Sequence, residues 1–225
     1  MNERENIFKR IREALKASAH GPAGGLPSVA EQRGVMPAVS PDSEAQMAMF
    51  HANSAELRAD IVMVSDEREL AIRMAALRDA ESWKKVAAHA GELAMTTAQS
   101  LNLPVLRTDL GFDNNELAAC DAGITECDAL VAQTGSVLLT SRSAGGRALS
   151  CLPPHHVIIA RREQLVADLP AAFELLQQKY STNYPSMISF ITGPSRTGDI
   201  ERILVLGAHG PKQLTIFVIE APASA

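Results

Sequence analysis

Cysteine is scarce in this chain: Cys120, Cys127 and Cys151 make an odd number with no CxxC pair. That excludes the closely spaced thiolate sets that build iron–sulfur clusters and structural zinc sites, so neither a metal site nor a cofactor of the chain's own is expected. Reduced thiols of a reducing compartment are the expected state. Long apolar runs are missing as well, since none approaches the roughly 20 residues that span a bilayer. The N-terminal MNERENIFKRIREALKAS is too charged for a signal peptide, and the expected location is the cytoplasm. There is no Lys/Arg-rich tract, and the formal net charge of −5 argues against nucleic acid as the main partner, although a local basic pocket stays compatible with it. Neither a GxGxxG after a strand nor a GxxxxGK[ST] occurs, which leaves no dinucleotide fingerprint and no P-loop.

What is present is enough apolar material for a core. With 46% hydrophobic residues in 225, one compact body is expected. The chain opens with a helical pattern over 2–17, where Ile7, Phe8, Ile11, Ala14 and Leu15 recur on one stripe between basic residues. Its apolar face needs a partner surface, either its own domain or another subunit. Residues 20–41 are rich in Gly and Pro without a sustained period and read as a linker. We therefore divide the chain into an N-terminal helix and linker, 1–41, and a single α/β domain, 42–225. From residue 42 the pattern alternates: helix over 42–57, strand 61–64, helix 66–77, weak strand 85–88, helix 91–100, strand 104–106. That rhythm predicts an α/β fold, an open and mainly parallel sheet with flanking helices.

The second half carries more polar signals. Apolar runs at 129–131 and 137–139 flank Gln133-Thr134-Gly135-Ser136, a turn that can present backbone N–H groups to an anion or simply close a hairpin. Gly145-Gly146 precedes Arg147, which begins a short helix ending at Pro153; Arg147 suits carboxylate or phosphate recognition, or is a solvated surface arginine. His155 and His156 lead into a strand over 157–160, and without further ligands at zinc spacing they read as satisfied structural residues. A long helix is expected over 161–180, with Leu165, Leu169, Phe173 and Leu176 on its core stripe.

The densest stretch is ITGPSRTGDIERILVLGAHGP, residues 191–211, between the apolar runs SMISFI and LTIFVIE. It reads as strand, Gly-Pro turn, short helix capped by Ser195 or Thr197, turn and strand, with Asp199 and Glu201 in the first helical turn. Ser195, Arg196, Thr197, Asp199, Arg202, His209 and Lys212 crowd it, more than a bare connection needs. We expect Thr134, Gly135, Ser136, Arg147, Ser195, Arg196, Thr197 and Gly210 to meet at one end of the sheet and bind a small carboxylate or phosphate. Arg147 and Arg196 would hold the anion, and Ser136, Ser195 and Thr197 would donate hydrogen bonds. His209 would be the general acid or base, oriented by Asp199. The competing reading makes Asp199 and Arg196 a local cap and ion pair.

AQTGSVLLTS, GGRALSCLPPHHVIIA and ISFITGPSRTGDIERILVLGAHGP followed by LTIFVIE resemble the LUD-domain family over roughly residues 57–220. The resemblance implies a fold related to the group of sugar isomerases, acyl-CoA transferases and folate cyclo-ligases. It implies a role beside two partner proteins in oxidising L-lactate to pyruvate, with the iron–sulfur clusters carried by a partner. It leaves open whether the chain is a subunit of that system or an independent enzyme or binding protein for a phosphosugar, CoA ester or folate. The family often has Glu where this chain has Gln133, so a carboxylate required there would be missing.

Overall fold

The computed structural model describes residues 3–16, 36–197, 205–206 and 210–220. By contacts the chain divides between Pro37 and Ala38. In the first unit α1 (Glu3–Lys16) carries acids in its first turn and exposes Ile7, Phe8 and Ile11, the stripe that the sequence marks as needing a partner.

In the second unit α2 (Ser43–Glu56) leads into β1 (Asp60–Val64), α3 (Glu67–Ala80), β2 (Val86–Ala88), α4 (Glu92–Ser100) and β3 (Val105–Arg107). Next come α5 (Asn114–Ala118), β4 (Ala122–Glu126), the hairpin of β5 (Ala129–Val131) and β6 (Ser136–Thr140), α6 (Arg147–Cys151) and β7 (His155–Arg161). The last elements are β8 (Leu165–Val166), α7 (Leu169–Tyr180), β9 (Ile188–Ile191), β10 (Arg196–Thr197), β11 (Val205–Leu206) and β12 (Gln213–Ile219). Aspartates start the helices. Asp42, Asp66, Asp113 and Asp168 each accept a backbone N–H of the first turn, a cap that contributes about 1 kcal/mol.

Six strands form one sheet in the order β1-β12-β7-β4-β2-β3, every neighbouring pair parallel. This is the α/β class that the alternation predicts. Both faces of the sheet are covered, which is why β7 and β12 read as unbroken apolar runs rather than alternating ones. Val157, Ile159, Phe217 and Ile219 pack with α3 and α4 on one face, while Ile158, Ala160, Ile216 and Val218 pack with α2 and the β5–β6 hairpin on the other. A second, four-stranded sheet, β8-β5-β6-β9, lies over that other face, and its far side is covered by α7 through Ala172, Leu176 and Tyr180. Phe217 is fully buried at the centre, so Phe217→Ala would cost about 3–5 kcal/mol. Gly123 in β4 lets α6 lie directly on the sheet, because a Cβ there would stand 2.4 Å from the Leu149 carbonyl oxygen.

Three expectations change. The helix foreseen over 161–180 begins only at Leu169: β7 runs on to Arg161, β8 pairs with β5, and the Asp168 cap with Pro170 in the first turn sets the true start. Phe173 consequently points outward, 57% exposed, and is not core. Arg196 and Thr197 form β10, antiparallel to β11, after a Gly193-Pro194 turn in which Gly193 takes φ +89, so Ser195 caps no helix, while a helix beginning after Thr197 would fall outside the described residues. Asp199, Glu201, Arg202 and His209 lie outside the described residues.

Candidate functional site

Two cavities flank the parallel sheet, one at each end of its strands. The larger, about 500 Å³, lies at the carboxyl ends of β4 and β7 and is lined by Glu67, Glu92, Thr96, Glu126, Arg161 and Glu163, among others. Its polar groups answer one another. Glu126 accepts from the Leu93 and Ala94 N–H groups at 2.9 and 3.0 Å, closing the N-terminus of α4, and Gly91 has no Cβ to obstruct it. Arg161 pairs with Glu67 at 2.6 Å, and Gln164 ties the Arg161 N–H to the Cys127 carbonyl. Four carboxylates around one paired arginine make this a poor home for an anion.

The smaller cavity, about 240 Å³, lies at the amino ends of β7 and β12. Its walls come from four places in the chain: Ser150 and Cys151 at the end of α6, His156 at the start of β7, Phe190 to Ser195 from β9 and the turn after it, and Gly210, Pro211 and Leu214 before and within β12. The two Gly-Pro turns are locked together, since the Ser195 N–H donates to the Pro211 carbonyl at 2.9 Å and Gly210 leaves room for the Ser195 side chain. Gly193, held at φ +89, packs on the Leu57 carbonyl and lies beside the Arg196 guanidinium. Arg196 is exposed and, like Arg147, is not among the residues that line the cavity.

His156 is the chemically unusual group here. It is 1% exposed, and its Nε2 shares a 2.9 Å hydrogen bond with the Thr125 hydroxyl on β4. Its Nδ1 is buried with no hydrogen-bond partner among the described residues. Burial, and secondarily the neighbouring His155, push its pKa down to about 3, so the imidazole is neutral at physiological pH. His155 faces the opposite side of the sheet, where it meets Trp83 edge-on at 5.2 Å and bonds Thr215 at 2.8 Å; its Nδ1 also has no partner among the described residues. The expectation that both histidines are satisfied structural residues holds for Nε2 alone.

The residues named from sequence distribute unevenly around these cavities. Ser195 and Gly210 line the smaller one, and Ser136 reaches its edge through a 2.8 Å hydrogen bond to Thr192. Thr134 and Gly135 sit in the β5–β6 hairpin turn, which packs against the end of α2. Asn53 donates to the Ala132 and Gln133 carbonyls, Ser54 donates to the Gly135 carbonyl, and a Cβ on Gly135 would meet the Ser54 nitrogen at 2.6 Å. The glycine's close approach is therefore to protein backbone. Arg147 is exposed at the start of α6, where Gly145 abuts the His89 ring just beyond the carboxyl end of β2. It lines neither cavity. Thr197 lies in β10, and Asp199 and His209 are outside the described residues. Sequence reasoning missed His156, Thr125, Thr192 and Cys151. Only the Pro-Pro-His-His run, with two histidines entering a buried strand, could have flagged the first of these.

The comparisons with known proteins agree with this architecture. A crystal structure of a DUF162 family protein from Deinococcus radiodurans superposes with a TM-score of 0.62 at 23% identity, covering 80% of this chain and 99% of that one, which is a likeness of fold. A Lactate utilization protein C from Oceanobacillus iheyensis is 31% identical over 126 residues, 55% of this chain and 54% of the relative. One from Deinococcus radiodurans is 31% identical over 53% and 56% of the two chains, and one from Anoxybacillus flavithermus 38% over 48% and 49%. The chain spans about half the length of the curated relatives it matches. The LUD domain model matches residues 1–219, nearly the whole chain, and the chain belongs to the LUD domain family.

Proposed function

We propose that this chain serves the use of L-lactate as a component of a lactate-oxidising system, holding a small carboxylate ligand while an iron–sulfur subunit carries the electrons. The observation behind this reading is the set of relatives named Lactate utilization protein C, matched within a family that covers residues 1–219. Chemistry adds to it. Oxidising lactate to pyruvate releases two electrons and two protons, and their uptake is assigned to a partner protein because the three cysteines are not spaced for a cluster. The cavity size speaks for a small ligand. At about 240 Å³ it falls below the roughly 300–1,000 Å³ of pockets for drug-sized molecules, which favours a three-carbon acid over a folate or CoA ester.

Deletion of the gene is expected to abolish growth on L-lactate and to leave growth on pyruvate intact, with restoration by the full chain supplied in trans. An affinity-tagged chain is expected to bring down an iron–sulfur protein from lactate-grown cells. Normal growth of the deletion strain on L-lactate, with no other lactate oxidase present, would overturn the assignment. Turnover of a phosphosugar by the isolated chain would favour an independent enzyme.

A further inference from the structure

The helix α1 (Glu3–Lys16) has a surface that no part of the lactate reading uses. At about 100° per residue, Ile7, Phe8 and Ile11 fall within an arc of roughly 100° on one side of it. All three are exposed, by 54, 44 and 48%. Arg10 and Arg12 follow about 40–60° beyond the two edges of that arc, and Lys9 stands on the opposite side. The Arg4 guanidinium lies over the Phe8 ring at 5.5 Å. The helix holds five Lys and Arg against three Glu, while the chain as a whole is at −5, so positive charge is gathered where the apolar stripe is. A helix of 14 residues is at the margin of stability by itself in water, and it gains its stability when its apolar side is buried.

We propose that α1 lies flat on an anionic lipid surface, with Ile7, Phe8 and Ile11 in the boundary between headgroups and acyl chains and Arg4, Arg10 and Arg12 on lipid phosphates. The inference goes beyond the lactate reading and does not rest on it. Among the described residues no helix is long and apolar enough to cross a bilayer, so the contact is lateral and reversible. Arginines on both borders suit it: their stems cover the margins of the apolar arc while the guanidinium heads rise to the phosphates, which they bond in pairs. Glu3 and Glu5 complement the helix dipole in the first turn, and Glu13 falls on the side away from the arc. A groove on a protein takes apolar anchors of the same spacing. What favours the bilayer is the placement of the charge, since a plane of phosphates meets both borders of the helix alike.

Co-sedimentation of the full chain with vesicles tests it. Vesicles of phosphatidylglycerol and phosphatidylcholine in equal parts are expected to carry the chain down at low salt. Pure phosphatidylcholine should bind it roughly tenfold or more weakly, and high salt should weaken the anionic case by a similar factor because it screens the arginines. I11E places a carboxylate at the centre of the arc and should lower binding about tenfold or more. R10Q/R12Q should lower binding on anionic vesicles only. These side chains are exposed, so thermal unfolding is expected to be unchanged in both variants. F8W reports immersion: Trp83 is the chain's one native tryptophan and is buried, so a shift of emission to shorter wavelength on adding anionic vesicles belongs to position 8. No sedimentation with anionic vesicles overturns the proposal, and so does equal binding to both vesicle types. Binding that I11E leaves unchanged, or that moves no F8W emission, overturns it as well. A chain that binds no vesicle but forms a dimer in solution, dissociated by I11E, would make the stripe an interface between copies instead. Growth on L-lactate is read separately, so either reading can fail alone.

Discussion

The two ends of the parallel sheet are built on opposite principles. At the carboxyl ends, where open α/β sheets ordinarily take their ligands, the groups are charged but already engaged: Glu126 closes a helix and Arg161 is paired with Glu67. At the amino ends the cavity has about half the volume and little charge, and behind its His156 wall a ring nitrogen is buried with no hydrogen-bond partner among the described residues. Polar groups that satisfy one another explain themselves structurally. A group left unsatisfied in a native core asks for a further explanation. The two ends therefore differ in how much of their polarity the fold itself has engaged, and that difference concerns this chain's own atoms and not the fold's position rule.

Substitutions on the two kinds of polar group should separate that contrast, and the largest effect is expected at the best satisfied of them. Asp128 has a fully buried side chain beneath the second sheet, accepting from Lys179 at 2.6 Å, Tyr180 at 2.5 Å and Thr140 at 2.8 Å. Burial alone would raise its pKa, but the hydrogen bonds from Lys179, Tyr180 and Thr140 outweigh it and hold the carboxyl below its ordinary value. Asp128→Ala should cost about 3–5 kcal/mol in urea unfolding, since it leaves three donors facing an empty place. A loss below about 1 kcal/mol would break the distinction between satisfied and unsatisfied groups.

The next effect is a pH dependence whose sign follows from the histidines. His155 and His156 both have pKa values lowered by burial, the latter from 6.5 to about 3. As pH falls through 6.5 the unfolded chain takes up protons that the folded chain refuses, so stability falls progressively down to about pH 3. Asp128 adds a further loss below its ordinary value of 3.8, as the unfolded carboxyl protonates first. Urea midpoints across this range are expected to drop on the acid side, and replacing His156 should flatten the slope between pH 6.5 and about 3.

How much of this was legible beforehand differs between fold and site for a physical reason. The apolar runs of β7 and β12 and the aspartates before α2 and α3 are local signals, and they placed the α/β alternation correctly. What failed depended on distant pairing. Leu165 and Val166 look helical until β5 offers them a parallel partner, and Arg196 becomes strand because β11 pairs with it. Ser195 and Gly210 were found because they sit in conspicuous turns. His156 was passed over because an unpartnered nitrogen is a fact about what surrounds a residue, and no spacing in the sequence encodes it.

At the carboxyl-end cavity, Glu126→Ala should cost about 1 kcal/mol, the value of a helix N-terminal cap, because it strips the acceptor from the Leu93 and Ala94 N–H groups. Thermal unfolding reads that loss. A loss well above about 2 kcal/mol would mean that Glu126 does more than cap the helix.

The smallest effect on stability is expected in the double variant H156L/T125V, although both side chains are buried and bonded to each other. His156→Leu alone deprives the Thr125 hydroxyl of its partner in a buried setting, which should cost about 1–3 kcal/mol. Replacing Thr125 by Val at the same time removes that orphan, and the unpartnered Nδ1 has gone with the ring. Exchanging both members of a buried polar pair for apolar groups of similar size is close to neutral, so the double variant should lie within about 1 kcal/mol of the parent. A double-mutant cycle in urea isolates the coupling between the two side chains. Should the double variant prove as unstable as His156→Leu, the histidine is held in place by packing rather than by its hydroxyl partner. A double variant as stable as the parent would show that this buried polar pair is not required for folding.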